Sequence, residues 1–215
     1  MSESCPLCLH SKSTFYSEDK RRAYYQCELC QLVFVARSQL ISLEQEKQIY
    51  DSHENDVNDT GYQKFLSRAL TPLLPELAEA SQGLDFGCGP GPALAKMLTE
   101  KGHATALYDI FYYPNTEVLN RQYDFVTCTE VIEHLANPNE VWAQLLNLLK
   151  PNGVLVVMTK LVIDQARFKN WHYKNDITHI NFFSRATFDY LAQHHGLSLA
   201  YHGDDVMLFK QSAIV

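Results

Sequence analysis

The sequence predicts an α/β fold with a mostly parallel central sheet and an antiparallel last strand, preceded by a small N-terminal unit. From residue 84 onward, short apolar runs alternate with helix-like segments, as in parallel strands joined by crossover helices. The last two predicted strands, 197–201 and 206–210, are so close in sequence that they must be antiparallel. Four of the six cysteines lie in the first thirty residues, which sets that region apart.

Composition restricts the classes of function. The chain has 215 residues, 46% of them hydrophobic, enough to bury a core beside a small appendage. A formal net charge of -7 disfavours nucleic acid and anionic membranes as partners. The first residues lack the features of a signal peptide, and no apolar run is long enough to span a bilayer. We therefore expect a cytoplasmic protein without a membrane partner.

The N-terminal cysteines form two pairs, Cys5-x2-Cys8 and Cys27-x2-Cys30, separated by eighteen residues. In a reducing compartment this spacing favours a closed, structural, tetrahedral zinc site over disulfides. The alternative is four unrelated cysteines. Residues 24–26 and 32–34 are predicted as short strands of this ribbon, which could serve as a lid or as a substrate-recognition element; the pattern does not distinguish the two.

The core elements follow in chain order. A helix beginning near Tyr62 is predicted to be interrupted by prolines, a second helix starts at Ala93, and a third has Asn137 as its N-cap. A fourth begins after Ser184 and ends at Gly196. The first four predicted strands are 84–86, 104–108, 125–128 and 154–158.

A glycine-rich loop follows the first core strand. Its glycines, Gly87, Gly89 and Gly91, are spaced G-x-G-x-G, whereas dinucleotide sites use G-x-G-x-x-G and this chain has Pro92 near that third position. Asp109, at the end of the second strand, is placed to accept hydrogen bonds from ribose hydroxyls. The alternative interpretation is a tight strand-to-helix turn with no ligand.

Four segments in order, 84–91, 108–109, 123–130 and 149–156, resemble the successive motifs of class I S-adenosylmethionine (SAM)-dependent methyltransferases. The resemblance covers about residues 60 to 211 and implies a Rossmann-like, seven-stranded sheet. It also implies that SAM is the cofactor. The residues implied to hold its methionine and ribose portions are Asp85, Gly87, Gly89 and Asp109, and the glycine loop adds Gly91 to them. The sulfonium end is implied to lie near Thr129 and Glu130.

The sequence departs from this family after Asp109. Only about fifteen residues separate Asp109 from Phe125, so the usual helix and third strand are expected to be shortened or absent. No acidic residue for adenine binding can be assigned.

Two segments are expected to face the acceptor. Glu130-Val-Ile-Glu133-His134 follows the strand ending near residue 128, and if it turns helically, residues 130, 133 and 134 share one face. The loop 171–184 is rich in aromatic and polar residues. Together they resemble a bacterial subgroup of these methyltransferases with E-x-x-E-H and D-x-T-H motifs. We predict His134 or His179 as general base, with Tyr173 and Asp176 orienting the acceptor or the histidine.

A second hypothesis uses the same region. Glu130, Glu133, His134 and His179 are similar to the set with which some small-molecule and RNA 2'-O-methyltransferases bind a divalent metal. The alternative is structural: Glu133 caps a turn and His134 is a satisfied buried histidine. Tyr50 and Tyr62 either cover the cofactor or simply pack.

These observations favour a SAM-dependent methyltransferase with a small-molecule acceptor. The alternatives are an RNA or protein methyltransferase whose ribbon grips the macromolecule, a non-catalytic SAM-binding module and, less favoured, a nicotinamide oxidoreductase. The predicted organisation is a zinc ribbon over 1–37, a helical connector with cofactor-covering helices over 38–80, and the SAM-binding core over 81–215. The identity of the methylated atom is not predicted.

Overall fold

The computed structural model describes residues 3–52 and 56–211. Residues 53–55 of the predicted connector, and the ends 1–2 and 212–215 of the first and last predicted segments, lie outside the described residues. Among the described residues, no helix has both the length and the apolar character needed to cross a membrane.

The central sheet has six strands in the order β5-β4-β6-β7-β10-β9. Neighbouring strands from β5 to β7 pair in parallel, and β10 runs antiparallel to both β7 and β9. The predicted mostly parallel sheet with an antiparallel last strand is therefore confirmed. The strands are β4 (Gln82–Phe86), β5 (Ala104–Tyr108), β6 (Tyr123–Thr129), β7 (Leu149–Met158), β9 (Leu197–His202) and β10 (Val206–Gln211).

Beside β5, this sheet of the described residues has one strand fewer than the seven-stranded arrangement that the family resemblance implied. After β5 the chain makes a tight turn closed by the bridge between Asp109 and Tyr113, then a 3-10 helix, Thr116–Asn120, and returns directly to β6. The expected loss of the third strand is confirmed for the described residues. The strand β5 is consequently the sheet's outer strand on this side.

Helices cover both faces of the sheet. Apolar side chains of α2 and α3 pack with Val154, Val156 and Leu208 on one face, whereas those of α4 and α6 pack with Val126, Leu155 and Phe209 on the other. This burial of both faces explains the near-continuous apolar runs of β6 and β7. The helices are α1 (Leu43–Tyr50), α2 (Thr60–Leu73), α3 (Ala93–Glu100), α4 (Pro138–Asn147), α5 (Gln165–Lys169) and α6 (Arg185–His195).

Helix boundaries mostly follow the predicted signals. Asp59 caps α2 through Tyr62 N, and Pro72 lies inside this helix one residue before its end. The helix α6 begins after a capping box at Ser184 and ends at Gly196, which is left-handed with φ 64°. Asn137 precedes α4 as predicted, but its side chain makes no capping hydrogen bond.

The N-terminal ribbon is a second sheet of four strands. β1 (Ser13–Glu18), β2 (Ala23–Cys27) and β3 (Val33–Val35) form an antiparallel meander, and β3 pairs in addition with β8 (Asn181–Phe182). The strand β8 belongs to the segment that follows β7, far along the chain. A strand of the predicted core thus completes the ribbon sheet.

The ribbon also packs directly against the core helices. The side chain of Asn139 in α4 donates to Leu7 O at 2.7 Å, and Arg37 Nη2 donates to Ala136 O at 2.6 Å. The buried cysteines lie in one apolar cluster with Trp142 and Phe188. The two sheets therefore share a core.

Candidate active site

The glycine loop after β4 requires a backbone that other residues adopt poorly. Gly87 has φ 74° and Gly89 has φ 62°. A Cβ on Gly87 would lie 2.4 Å from Val131 Cγ2, which places the loop directly against the segment that follows β6. The third glycine, Gly91, accepts a hydrogen bond from Ala93 N at 2.8 Å at the start of α3.

Two predicted cofactor-binding carboxylates flank this loop. Asp85 is 3% exposed and accepts a hydrogen bond from Thr127 Oγ1 at 2.7 Å. Its burial raises the pKa of Asp85 to about 6. Asp109 accepts from Gly89 N at 3.0 Å and from two backbone amides of its own turn, at Phe111 and Tyr112. Asp109 therefore fixes the glycine loop against the end of β5.

The E-x-x-E-H segment is not an α-helix. Thr129 ends β6, Glu130 has a left-handed backbone with φ 53°, and only Ile132–His134 form a 3-10 turn. The amide of Glu130 donates to Met158 O at 2.8 Å, which holds this bend at the ends of β6 and β7. The three side chains at 130, 133 and 134 are brought together by this bend rather than by helical spacing.

Glu130 and Glu133 point at the same tyrosine. Tyr173 donates its hydroxyl proton to Glu133 Oε1, and the same hydroxyl lies 3.2 Å from Glu130 Oε2. In the part of the chain that the structure describes, Glu130 Oε1 and Glu133 Oε2 are buried without a hydrogen-bond partner. Burial raises the pKa of Glu130 to about 7, and burial together with the charge of Glu130 raises the pKa of Glu133 to about 8.

The two predicted histidines meet beside these carboxylates. Their ring centroids are 4.7 Å apart. Nδ1 of His134 lies 3.1 Å from Thr178 O, and Nδ1 of His179 lies 2.7 Å from Tyr173 O. Because a carbonyl oxygen only accepts, each Nδ1 carries a proton, and in the neutral form of such a ring the lone pair lies on Nε2. Burial lowers the pKa of His179, so this ring is neutral at physiological pH.

Asp176 lies beside the histidine pair and mainly organises the loop. Its Oδ1 accepts from Thr178 N at 2.9 Å and from Thr178 Oγ1 at 2.6 Å, and its Oδ2 lies 3.9 Å from His179 Nε2. Single ligand atoms of Glu133, His134 and His179 lie within 4.8 Å of one another. Glu130 is outside this trio and is connected to it through the Tyr173 hydroxyl.

Two tyrosines cover this region from the N-terminal side of the core. The ring of Tyr50 in α1 lies 5.4 Å from that of His134 and 5.9 Å from that of Phe111. Desolvation, and then the charges of Asp85, Cys88 and Glu130, raise the pKa of Tyr62 to about 12. The α1 tyrosine therefore contacts His134, whereas the α2 tyrosine is close enough to Asp85 and Glu130 to feel their charges.

The four N-terminal cysteines form two equivalent turns. Cys5 N and Cys27 N each bond a carbonyl five residues ahead, at His10 and Leu32, with 2.9 Å in both cases. The residue after each pair, Leu9 and Gln31, has φ 61°. Sulfur distances are 3.5 Å from Cys5 to Cys30 and 3.5 Å from Cys8 to Cys27, and all four sulfurs lie within 4.8 Å of one another.

A cleft of about 1150 Å³ is lined by residues of the ribbon and of the segment that follows β7. The strand β1 forms one wall, with Phe15 and Tyr16, and Lys160 and Trp171 lie on the other. Lys160 Nζ is 5.1 Å from the ring centroid of Tyr173, so the cleft approaches the carboxylate pair from the ribbon side.

Comparison with known proteins decides the family. A family model described as a methyltransferase domain matches residues 59–202. The chain belongs to this family. The membership expected from the sequence motifs is therefore confirmed.

Curated relatives of this methyltransferase match over a limited length. A ubiquinone biosynthesis O-methyltransferase from Shewanella pealeana is 31% identical, over 36% of this chain and 43% of that protein. A protein of the same name from Rickettsia bellii is 33% identical, over 35% of this chain and 40% of that protein. The matches span about two-fifths of these relatives.

Solved structures share the fold of this methyltransferase. Magnesium protoporphyrin IX methyltransferase from Synechocystis PCC 6803 with bound SAH has a TM-score of 0.54 at 16% identity, covering 79% of this chain and 93% of that one. A Burkholderia thailandensis 1,6-didemethyltoxoflavin-N1-methyltransferase has a TM-score of 0.51 at 14% identity, covering 92% and 99%. At these identities the likeness establishes the class I fold.

Sequence reasoning missed three residues that organise the site. Thr127 bonds Asp85, Thr159 Oγ1 lies 3.2 Å from the Tyr173 hydroxyl, and Arg22 of the ribbon bonds the histidine loop. The threonines lie in or just after β6 and β7, where a polar residue in an apolar run is the available signal. Arg22 has no such signal, because its partners are backbone carbonyls.

Proposed function

We propose that this methyltransferase transfers the methyl group of SAM to a hydroxyl of a small-molecule acceptor. The observation that carries the proposal is the histidine pair: two imidazoles with Nδ1 bonded to backbone carbonyls, one of them at the end of the segment whose Val131 lies against Gly87. The O-methyltransferase names of the curated relatives support an oxygen acceptor. The small-molecule names of the structural neighbours, and the net charge of -7, support a small acceptor over RNA.

The glycine loop and its carboxylates are proposed to bind SAM. Gly87 and Gly89 allow close approach of the methionine portion, and Asp85 lies at the base of the loop. Asp109 already accepts two backbone hydrogen bonds at Oδ1 and one at Oδ2, so Oδ2 has one lone pair left for a ribose hydroxyl. Gly91 completes the loop at the start of α3. Thr129 and Glu130, at the end of β6, would face the sulfonium.

The chemistry proposed for the histidines is proton removal during an in-line displacement. The acceptor oxygen attacks the methyl carbon, the carbon–sulfur bond breaks, and S-adenosylhomocysteine leaves. His179 Nε2, or Nε2 of the neighbouring His134, takes the hydroxyl proton. Tyr173 and Asp176 act as positioning residues, because Tyr173 O fixes the His179 ring and Asp176 shapes the loop around Thr178.

The same residues also fit a divalent cation. Glu133, His134 and His179 would hold it, with Glu130 close by, and the buried unpaired carboxylate oxygens and the carbonyl-bonded Nδ1 atoms are features of a metal-ligand set. When bound, such a cation acts as a Lewis acid that lowers the pKa of an acceptor hydroxyl. The chain's own contribution is a fixed set of three ligands.

We also propose that Cys5, Cys8, Cys27 and Cys30 hold a structural zinc ion. Sulfurs 3.5 Å apart suit a tetrahedron with zinc–sulfur bonds of about 2.3 Å. The amides of Leu29 and Cys30 each lie 3.4 Å from Cys27 Sγ and would stabilise a thiolate there.

The function is tested in two steps. Calorimetry should detect one S-adenosylhomocysteine site per chain and no heat with NAD; no heat with S-adenosylhomocysteine would overturn the donor assignment. Release of S-adenosylhomocysteine from SAM is then measured over a set of catechols, hydroxybenzoates and primary amines. Turnover with amines alone would contradict the hydroxyl acceptor. The reaction with an accepted substrate is then repeated with EDTA and with added Mg²⁺ or Mn²⁺. Activity that persists in EDTA supports a histidine base without metal, whereas activity that needs the added ion supports the metal site.

A further inference from the structure

The strongest feature outside the proposed site is a buried arginine of the ribbon. Arg22 lies at the turn between β1 and β2 and is 6% exposed. Asp19 Oδ1 accepts hydrogen bonds from the amides of Arg21 and Arg22, which fixes the turn. The Arg22 side chain points away from the ribbon into the loop that carries the histidine pair's partners.

The guanidinium bonds four carbonyl oxygens of this loop. Nη1 donates to Ile177 O at 3.0 Å and to His179 O at 2.8 Å, and Nη2 donates to Lys174 O at 2.5 Å and to Asp176 O at 3.1 Å. Buried carbonyls require donors, and the segment 172–180 has little regular structure of its own to supply them. Arg22 is therefore the donor around which the loop turns.

Two further carbonyls of the same loop fix the imidazoles. Tyr173 O bonds Nδ1 of His179, and Thr178 O bonds Nδ1 of His134. Six carbonyls between residues 173 and 179 thus bond either the guanidinium or one of the two rings. Bonding to Arg22 on one side turns the other carbonyls toward the histidines.

The connection to the ribbon is reinforced at both ends of the loop. Lys174 Nζ lies 3.1 Å from Asp19 Oδ2, and Tyr24 donates to the same oxygen at 2.6 Å. At the other end, Val35 N donates to Ile180 O at 2.9 Å, beside the β3–β8 pairing. The ribbon and the histidine loop are therefore held together along the whole of the loop.

We infer that Arg22 is a positioning residue that couples the ribbon to the methyl-transfer site by holding both histidines in the Nδ1-protonated form. The ribbon is then part of the active-site framework. This inference rests on the proposed function for its catalytic meaning, but its structural content, the tautomer of two imidazoles, can be measured without an acceptor.

The test compares Arg22→Met and Arg22→Lys with the matched control Arg21→Met, since Arg21 is the exposed neighbour. Long-range proton–nitrogen NMR at about pH 8, where unbonded imidazoles are neutral, reports the tautomer of each ring, assigned with His134→Gln and His179→Gln. In the wild type and Arg21→Met, the Nδ1-protonated form should exceed the other by at least about fivefold for both rings. Both Arg22 variants should lose most of that preference.

Retention of the wild-type tautomers in a folded Arg22 variant would overturn the inference. Should Arg22→Met not fold, Arg22→Lys, which keeps the charge but not the planar set of donors, provides the same measurement. Calorimetry with S-adenosylhomocysteine is run on every folded variant and should change less than about twofold. Absence of binding in the wild type would contradict the proposed function instead, and leaves the tautomer result intact.

Discussion

The imidazoles of His134 and His179 lie nearly edge to face, 4.7 Å apart with an interplanar angle of 64°. Two segments from different strand ends, after β6 and after β7, supply them. Their Nδ1 atoms are both bonded to backbone carbonyls of one loop, which fixes the orientation of both rings.

Replacing either histidine should abolish most methyl transfer without loss of donor binding. We expect His179→Gln and His134→Gln each to lower kcat by about 100-fold or more, the usual contribution of a positioned base or ligand. S-adenosylhomocysteine affinity by calorimetry should change little. His172→Gln is the matched control, because this exposed histidine lies in the same loop. Equal losses in the control and the two variants would contradict the assignment.

Gly87→Ala should destabilise the protein more than an unobstructed glycine replacement. The alanine at position 87 would have to adopt φ 74°, and its Cβ would lie 2.4 Å from Val131. At Gly102, with φ 90°, an added Cβ would have nothing within 4 Å. We expect backbone strain in Gly102→Ala to lower the free energy of unfolding by about 1 kcal/mol. The added clash in Gly87→Ala should lower it by about 1–3 kcal/mol more. Urea unfolding measures both. Adding Val131→Ala should recover part of the Gly87→Ala loss, and no recovery would show that the clash is not the cause.

Asp85 should make stability fall as the pH rises from about 4 to 6. Burial raises the pKa of Asp85 from 3.8 to about 6, so in this interval the folded protein keeps a proton that the unfolded chain has released. The free energy of unfolding therefore decreases with pH, by roughly 3 kcal/mol for a shift of this size. Below this interval Asp85 is protonated in both the folded and the unfolded state, so it no longer makes the free energy of unfolding depend on pH.

The variant Asp85→Asn isolates this effect, since its amide oxygen can still accept from Thr127. Ligand-free wild type and variant are unfolded in urea at several pH values. The stability of the wild type relative to the variant should decline across the interval. A difference that stays constant with pH would mean that Asp85 does not titrate there.

Removal of one ribbon thiolate should remove the metal and lower stability. Purified protein should contain about one zinc per chain, and Cys8→Ser should lose it and melt at a lower temperature. Cys88→Ser, which changes a cysteine in the glycine loop, should retain zinc. Metal analysis and thermal melting check both variants, and zinc retained in Cys8→Ser would exclude the four-cysteine site.

The central sheet was predictable because its signals are local. Apolar runs bounded by turn residues mark β4, β5 and β6, and Gly196 marks the end of α6. The short interval after Asp109 also indicated the missing third strand. The paired cysteines and the glycine spacing are equally local, and the structure brings the four sulfurs together and gives Gly87 and Gly89 a positive φ.

The remaining features depend on contacts between distant parts of the chain. The two-residue strand β8 forms only because β3 offers an edge, and neither its length nor its composition distinguishes it in the sequence. The bend at Glu130 uses a left-handed backbone in a residue that rarely adopts one, so helical spacing was the wrong basis for grouping 130, 133 and 134. Tertiary hydrogen bonding determines both features.

Closure of the ribbon sheet by β8 bears on how the chain can be divided. The ribbon is synthesised before the core, yet β3 can pair with β8 only after most of the core has been made. Cutting the chain near residue 37 would leave two open strand edges and strip the histidine loop of its guanidinium. Grafting this ribbon onto another enzyme, or deleting it to obtain a minimal catalytic unit, should therefore fail. Each part depends on strand pairing and hydrogen bonds that the other supplies.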